Sequence, residues 1–367
     1  MHLLSLLTGS YKNRTKSTGR FKETESYEKG FSDHYQQNIK PHVSKYEELR
    51  INSLNIVSKR ARIGVPIYIF ILISCFYVGF LAHKSNRLFE DNGLMALMFI
   101  VFSLNSLILV WIYKPIRKYS SSIKAEIFPN ILSFFGDFKY QEKEEDLATQ
   151  RIAKTFSSIT SSTGISTSIS NLEESDIIPN YNKENSEDFI KGKYKEVDIK
   201  LFETKLELET NTGKHYSCKT VFKGIVIFMS IHKNFNGKTI IINDKGRLKN
   251  WLKNKFSKLD NVKLEDPKFE KLFEVFADDQ IEARYLLTTS FMERLLQLQE
   301  SFKGQKIESS FYDNNLLMMI PIKKNLFEPG SIFEPEDFID DSKSLLKEMN
   351  IIFQIIDILK LNQNIGL

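Results

Sequence analysis

The sequence predicts an α+β protein with an N-terminal transmembrane helical hairpin, followed by a cytoplasmic domain with a mostly antiparallel sheet and packed helices. Three observations lead to this fold class: two long uncharged apolar stretches early in the chain, apolar residues that alternate with polar ones from Tyr194, and helical periodicity from Arg247. The 367 residues are 42% hydrophobic and 26% charged, which excludes a wholly disordered chain and a disulfide-stapled miniprotein.

The hairpin prediction rests on residues 64–82 and 94–113, which carry no charged side chain. At about 1.5 Å per residue, each helix reaches close to the ~30 Å thickness of the hydrocarbon core. A buried core hairpin is the alternative. A cleaved signal peptide is not expected, because the first stretch begins more than sixty residues into the sequence. Asn105, the polar residue in the second span, is expected to bond to the partner helix or to a second copy.

Basic residues flank the two spans on one side of the hairpin. These lipid-facing residues are Lys59, Arg60, Arg62, Lys114, Arg117 and Lys118. The positive-inside rule then predicts a multi-pass membrane protein with both termini cytoplasmic.

The net charge of +5 comes from the N-terminal part of the chain. Residues 1–62 contain twelve Lys or Arg and six Asp or Glu, whereas residues 114–367 contain 37 and 38. A basic segment beside the lipid bilayer favours contact with anionic lipid headgroups, and recognition of such lipids by residues 12–62 is one functional hypothesis. Nucleic acid is not an expected partner, because the large domain is neutral and has no basic stripe.

Composition and periodicity divide the chain into six parts. They are a disordered basic tail (1–30), an amphipathic juxtamembrane helix (31–62), the transmembrane hairpin (63–113), a juxtamembrane helical segment (114–154), a flexible Ser/Thr-rich loop and linker (155–193) and the cytoplasmic α+β domain (194–367). The amphipathic helix rests on apolar residues at three- and four-residue steps, namely Tyr35, Ile39, Val43, Tyr46, Leu49, Leu54 and Val57. Pro41 should kink it.

The cytoplasmic domain shows strands first and helices later. Predicted strands include 197–208, a central strand at 225–229 that is apolar on both faces, 238–243, and a hairpin of 306–312 and 316–322. Predicted helices are 247–256, 267–273, 278–285, 291–302 with Ser290 as its N-cap, and 335–361.

Asp278, Asp279 and Glu282 form the densest charged cluster and are weak catalytic candidates. On a helix, Asp278 and Glu282 would share a face, where they could hold a divalent ion or act as acid and base. The alternative is a helix N-terminus, where carboxylates favour the dipole, with Arg284 as an ion-pair partner.

Other chemistry is incomplete in the sequence. His215, Cys218 and His232 do not complete a zinc ligand set, so no metal site and no cofactor are predicted. The sequence has no G-x-S-x-G elbow and no glycine-rich phosphate loop.

Short motifs along the C-terminal half resemble one bacterial family. They include Glu187-Asp188, Phe222-Lys223-Gly224, Asn234 to Thr239, Asp278 to Tyr285, Met292 to Leu295 and Leu326-Phe327-Glu328-Pro329. Over roughly residues 30–360 the chain resembles the domain of unknown function catalogued as number three-one-three-seven. The resemblance implies two spans ahead of a cytoplasmic domain and a membrane-protein partner of the LemA type, and it implies no reaction.

These observations favour a membrane-anchored cytoplasmic interaction or scaffold module of the bacterial inner (plasma) membrane, in which no catalytic set is identified. Self-association is a further expectation. The alternative is a metal-dependent hydrolase that uses the Asp278, Asp279 and Glu282 carboxylates.

Overall fold

The computed structural model describes residues 19–84, 92–142, 172, 174–211, 216–231, 235, 237–243, 258–302, 305–359 and 361. The chain forms two compact units, residues 1–127 with 329–343, and residues 128–328 with 344–367. Residues 329–343, which the sequence assigned to the cytoplasmic domain, therefore belong to the unit of the N-terminal helices. Predictions for residues 1–18, for the Ser/Thr-rich run 155–170 and for the helix 247–256 lie outside the described residues.

The first unit is built on long helices. A short helix α1 (Phe31–His34) and a π-helical turn (Tyr35–Ile39) lead into α2 (Lys40–Lys84), and α3 (Asn92–Leu132) follows. Helix α2 does not end at residue 62 but continues into the first apolar stretch. The π-turn lies directly before Pro41, where an ordinary helical turn would bring the proline ring against the preceding carbonyl.

Residues 19–30 were predicted to be disordered, and the structure corrects this. Phe21 is 2% exposed, with its ring centroid 4.8 Å from that of Phe31 and 5.9 Å from that of Tyr35. Burial of one aromatic side chain anchors this polar segment, a contact that periodicity cannot reveal.

The apolar stripe predicted for residues 31–62 is confirmed except at one position. Tyr35, Ile39, Val43, Tyr46, Leu54 and Val57 are buried, but Leu49 is 38% exposed and the adjacent Arg50 is fully buried. The Arg50 guanidinium donates to both carboxylate oxygens of Glu47 at 2.7 Å and to the carbonyl of Ile332 at 3.0 Å. These bonds offset the cost of removing the cation from water.

Helices α2 and α3 pack against each other in antiparallel orientation. The Tyr46 hydroxyl donates to the carbonyl of Ser122 at 2.8 Å near one end of the pair. Further along, a Cβ added at Gly64 would lie 2.8 Å from Cδ1 of Ile112, so glycine permits the close approach. Among the described residues, the helical stretch Phe99–Phe135 is long and apolar enough to cross a membrane.

Among the described residues, the second unit forms a nine-stranded antiparallel sheet. Its strands are β1 (Lys139–Gln141), β2 (Lys183–Tyr194), β3 (Val197–Asn211), β4 (Tyr216–Ser230), β5 (Thr239–Asn243), β6 (Asp260–Val262), β7 (Phe273–Ala277), β8 (Glu308–Tyr312) and β9 (Asn315–Pro321), in the order β1-β2-β3-β4-β9-β8-β5-β7-β6. The α+β class with a mostly antiparallel sheet is confirmed. The predicted linker was too long, since its last residues form β2.

The helices that the structure describes in this part of the chain are α4 (Pro267–Leu272), α5 (Gln280–Leu286), α6 (Thr289–Ser301) and α7 (Ile339–Leu359). Thr288, not Ser290, caps α6, because its hydroxyl accepts from the amide of Phe291 at 3.3 Å. Strand β4 is central as predicted, between β3 and β9. One sheet face carries the cluster around Phe202, Val226 and Leu317, and the ring pair Phe291–Phe311 packs α6 on the sheet.

Candidate functional site

A polar cleft opens where β2, β3 and β4 meet the chain that follows β9. It encloses about 440 Å³ of empty space, open solvent included. Its polar lining includes Glu187 of β2, Glu203 and Lys205 of β3, Lys223 of β4, and Lys324 with Asn325 after β9. A concave surface on which polar side chains converge is a candidate place for a small ligand.

An irregularity in β2 brings carboxylates together beside the cleft. Glu187 pairs with Glu203 across the strands, and the register then shifts before Ile190. Within the shift Asp188 has a φ of 58°, a left-handed conformation that is uncommon for a residue other than glycine. Carboxylate oxygens of Glu187, Asp188 and Glu203 consequently lie within 4.8 Å of one another.

Each of these carboxylates has a neutral hydrogen-bond donor. The Tyr140 hydroxyl donates to the fully buried Asp188, and the amide of Leu326 donates to Glu203 at 2.6 Å. Asn325 Nδ2 donates to Glu187 at 3.0 Å. These uncharged donors hold the three side chains in place.

Burial and the nearby Asp188 carboxylate raise the pKa of Glu203 to about 8, so this side chain keeps its proton at neutral pH. Burial also raises the pKa of Glu348 on α7 to about 7, where Asp188 adds to the effect and Lys324 opposes it. A second way to relieve three crowded carboxylates is a divalent cation, which takes oxygen ligands. The cluster could therefore hold either a proton or a metal ion.

The predicted acidic site at Asp278, Asp279 and Glu282 has a different arrangement. Asp279 caps α5, accepting from the amides of Ile281 at 2.7 Å and Glu282 at 3.1 Å. Asp278 precedes the helix and accepts from the amide of Lys238 at 2.8 Å. Because α5 starts at Gln280, Asp278 and Glu282 do not share a helix face, and the geometry favours the helix N-terminus alternative.

The predicted basic flank is on α2 and α3. Lys59, Arg62, Lys114, Arg117 and Lys118 are exposed. Arg60 instead lies over the ring of Trp111, 5.0 Å from its centroid, and donates to the Trp111 carbonyl at 2.6 Å. Cys218 is exposed on β4, whereas His215 and His232 of the zinc alternative lie outside the described residues.

A second buried acidic pair occurs in the first unit. Burial and the neighbouring Asp341 raise the pKa of Glu336 to about 8, and burial also raises the pKa of Asp341. Asp341 accepts from the amide of Gly330, and the amide of Glu336 donates to Glu47 at 3.0 Å. These bonds fasten the segment 329–343 within its unit.

Sequence reasoning missed the cleft as a site, although it had noted some of its residues. The short motifs Glu187-Asp188, Phe222-Lys223-Gly224 and Leu326-Phe327-Glu328 each contribute to the cleft or to the carboxylates beside it. None of these motifs alone indicates a site, because only the fold brings the three of them together.

Comparison with curated proteins found no match. One solved structure that resembles the chain is the crystal structure of the mycobacterial trehalose monomycolate transport factor A, TtfA, at a TM-score of 0.29 and 10% identity, covering 63% of this chain and 93% of that one. So distant a likeness supports no conclusion on function. Residues 220–361 match the family described as "Protein of unknown function (DUF3137)", which supports over this stretch the family resemblance seen in the sequence.

Proposed function

We propose that this protein is a membrane-anchored interaction module, in which the hairpin 64–82 and 94–113 crosses the bilayer and the sheet unit is cytoplasmic. The supporting observation is the exposure of large apolar side chains along both helices. On α2 they include Phe70 at 72% and Phe76 at 79%, and on α3 Phe99 at 73% and Phe102 at 74%. Soluble monomers rarely expose a contiguous apolar surface of this extent.

The polar residues at one end of the pair agree with a membrane interface. Trp111 with Arg60 stacked on its ring is the amphipathic arrangement typical of the headgroup region. The exposed basic residues of the flank lie on the same side of the two spans, and the positive-inside rule then makes that side cytoplasmic.

Recognition of anionic lipids by residues 12–62 has fewer charges available than the sequence count implies. Arg50 is buried against Glu47, and Lys45 Nζ lies 2.7 Å from Glu126. The exposed basic flank is a better candidate for headgroup contact, at about 1 kcal/mol per well-placed cation.

The two cysteines, Cys75 in the first span and Cys218 on β4, allow a direct test of the topology. In a Cys75→Ser background, we expect a membrane-impermeant maleimide to label Cys218 only after the inner membrane is permeabilised. A matched control adds a cysteine at Ser85, between the spans, and removes Cys218 by Cys218→Ser; it should be labelled in intact spheroplasts. Labelling of Cys218 in intact spheroplasts, or extraction of the protein by alkaline carbonate, would refute the proposal.

The interaction role is tested separately from the anchor. Crosslinking in native membranes, followed by identification of crosslinked proteins, should reveal either self-association or a membrane protein of the LemA type. If crosslinks are absent across several reagents while the anchor is established, the interaction role is wrong and the anchor stands.

A metal-dependent hydrolase is the second candidate, and the carboxylates of Glu187, Asp188 and Glu203 now favour it more than the predicted set at 278–282. A calorimetric titration of the full chain with Mg²⁺, Mn²⁺ or Ca²⁺ tests this candidate. Glu203→Gln is the variant, and Glu282→Gln is the matched control. Equal heats for both variants, or no binding at millimolar metal, would eliminate this candidate.

A further inference from the structure

The cleft beside Glu203 has an excess of positive charge in its lining. Lys205, Lys223 and Lys324 line it together with two carboxyl groups, those of Glu187 and Glu203. Glu203 is 7% exposed and accepts a hydrogen bond from the amide of Leu326 at 2.6 Å. The lining thus carries three ammonium groups and two carboxyl groups.

The cations differ in how far they are already neutralised. Lys205 Nζ is 2.5 Å from Glu207, so its charge is paired within β3. Lys223 and Lys324 are exposed, and the charge of Lys324 also acts on the Glu348 carboxyl group of α7. They come from different segments, one from β4 and one from the chain after β9, and they meet at the same cleft.

Neutral hydrogen-bonding groups complete the lining. Thr204 on β3, Asn185 on β2 and Asn325 after β9 all reach the cleft. Asn325 is held in place by its bond to Glu187, and the Thr204 hydroxyl accepts from Ser186 at 2.8 Å. Lysine ammonium groups with amides and hydroxyls are the groups that bind oxyanions in proteins.

We propose that this cleft binds a small phosphate-bearing ligand, whose oxyanion lies between Lys223 and Lys324 and whose remaining polar groups contact Thr204, Asn185 and Asn325. A small phosphate ester such as glycerol phosphate offers both an oxyanion and the further polar groups that this lining can bind. The phosphate belongs either to a soluble ester or to a lipid headgroup. The inference does not depend on which side of the membrane the sheet unit lies.

Calorimetry on the full chain, in nanodiscs of zwitterionic lipid, tests the proposal with inorganic phosphate and glycerol phosphate as probes. We expect saturable binding that the double variant Lys223→Ala, Lys324→Ala weakens at least about tenfold, since it removes two charge-assisted contacts. Lys219→Ala is the matched control, because Lys219 is exposed on the same strand but does not line the cleft. It should bind as the unmodified chain does.

Two results would overturn the proposal: no binding of either probe at millimolar concentration, or equal affinities in the double variant and in Lys219→Ala. A second arm identifies the source of the phosphate. If phosphatidic acid in the nanodisc abolishes binding of glycerol phosphate, the ligand is a headgroup; if binding is unchanged, the ligand is a soluble ester. Amide hydrogen exchange over β3 and β4 shows whether each variant is folded.

Discussion

Replacement of Glu203 by glutamine should remove a pH dependence from the stability of the sheet. In the folded protein this carboxyl holds its proton up to a pH of about 8, whereas in an opened, solvated state it ionises near its ordinary value of 4.5. Opening therefore releases a proton throughout the interval between these values, and stability falls as the pH rises through it and levels off above about 8. Glutamine is neutral in both states and keeps the oxygen that accepts from Leu326.

The size of the effect follows from the interval over which the proton is held. From about pH 6 to about pH 8 the folded state alone retains the proton, which corresponds to about 3 kcal/mol at about 1.4 kcal/mol per pH unit. Because solvent penetration and relaxation reduce this figure, we expect about 1.5 to 3 kcal/mol, or roughly a tenfold to hundredfold change in the opening equilibrium.

Amide hydrogen exchange of the full chain, measured by mass spectrometry on peptides from β2 and β3, gives this opening equilibrium. The unmodified protein and Glu203→Gln are compared at the same pH, so that the intrinsic exchange rate cancels. They should exchange with a smaller difference at about pH 6 than at about pH 9, where the variant should be the better protected. Glu209→Gln is the control, because Glu209 pairs with Lys183, which lowers its pKa. If the difference between Glu203→Gln and the unmodified chain is the same at both pH values, Glu203 is not protonated in the folded protein.

Three further predictions concern stability. Arg50→Met should cost about 3 kcal/mol, because it leaves the carboxylate of Glu47 without its cation, and exchange in residues 329–338 should accelerate. Gly224→Ala should weaken the pairing of β4 with β9, since its Cβ would lie 2.1 Å from the carbonyl oxygen of Ile320; loss of protection in both strands is the readout. Thr288→Ala should destabilise α6 by about 1 kcal/mol, whereas Ser290→Ala should change little, as thermal unfolding followed by circular dichroism would show.

Each of these predictions has an outcome that contradicts it. Lys40→Met, an exposed position on the helix of Arg50, should leave the segment 329–338 unchanged, and equal exchange in both variants would mean that Arg50 does not fasten it. Thr220→Ala, at an exposed position of β4, is the control for Gly224→Ala and should leave the exchange of β4 and β9 unchanged. Equal exchange in these two variants would mean that Gly224 is not required for the pairing of the strands. If Ser290→Ala proved more damaging than Thr288→Ala, the cap would be the one that the sequence motif suggested.

Local sequence patterns predicted the elements whose determinants are local. Alternation located β3, and a run that is apolar on both faces located the centre of β4. The turn at Asp313 and Asn314, with φ values of 48° and 57°, joins β8 to β9 as the sequence suggested. The helix stripe from Tyr35 to Val57 was also readable, because a period of about 3.6 residues leaves a signal wherever one face is buried.

The errors occurred where long-range contacts decide the structure. Strand β2 reads Lys-Glu-Asn-Ser-Glu-Asp, with almost no apolar alternation in its first half, so periodicity assigned it to a linker. Its pairing with β3 is what makes it a strand. In the same way Arg50 occupies an inward position beside Leu49 because Glu47 and a carbonyl 282 residues away satisfy its donors.

The candidate site also depends on long-range contacts. Asp278, Asp279 and Glu282 are close in sequence and were predicted as a site for that reason. In the structure, however, the contacts of Asp278 and Asp279 with backbone amides are those of a turn and a helix cap. Glu187 and Glu203 are separated along the chain, and an antiparallel register places them opposite each other. Carboxyl groups that crowd together destabilise the folded state, whereas carboxylates at a helix N-terminus stabilise it. Such crowding persists most readily where a proton, a cation or a ligand relieves the repulsion. The crowded carboxyl groups at the cleft, rather than the carboxylates at the helix cap, are therefore the better indication of where this protein binds a ligand.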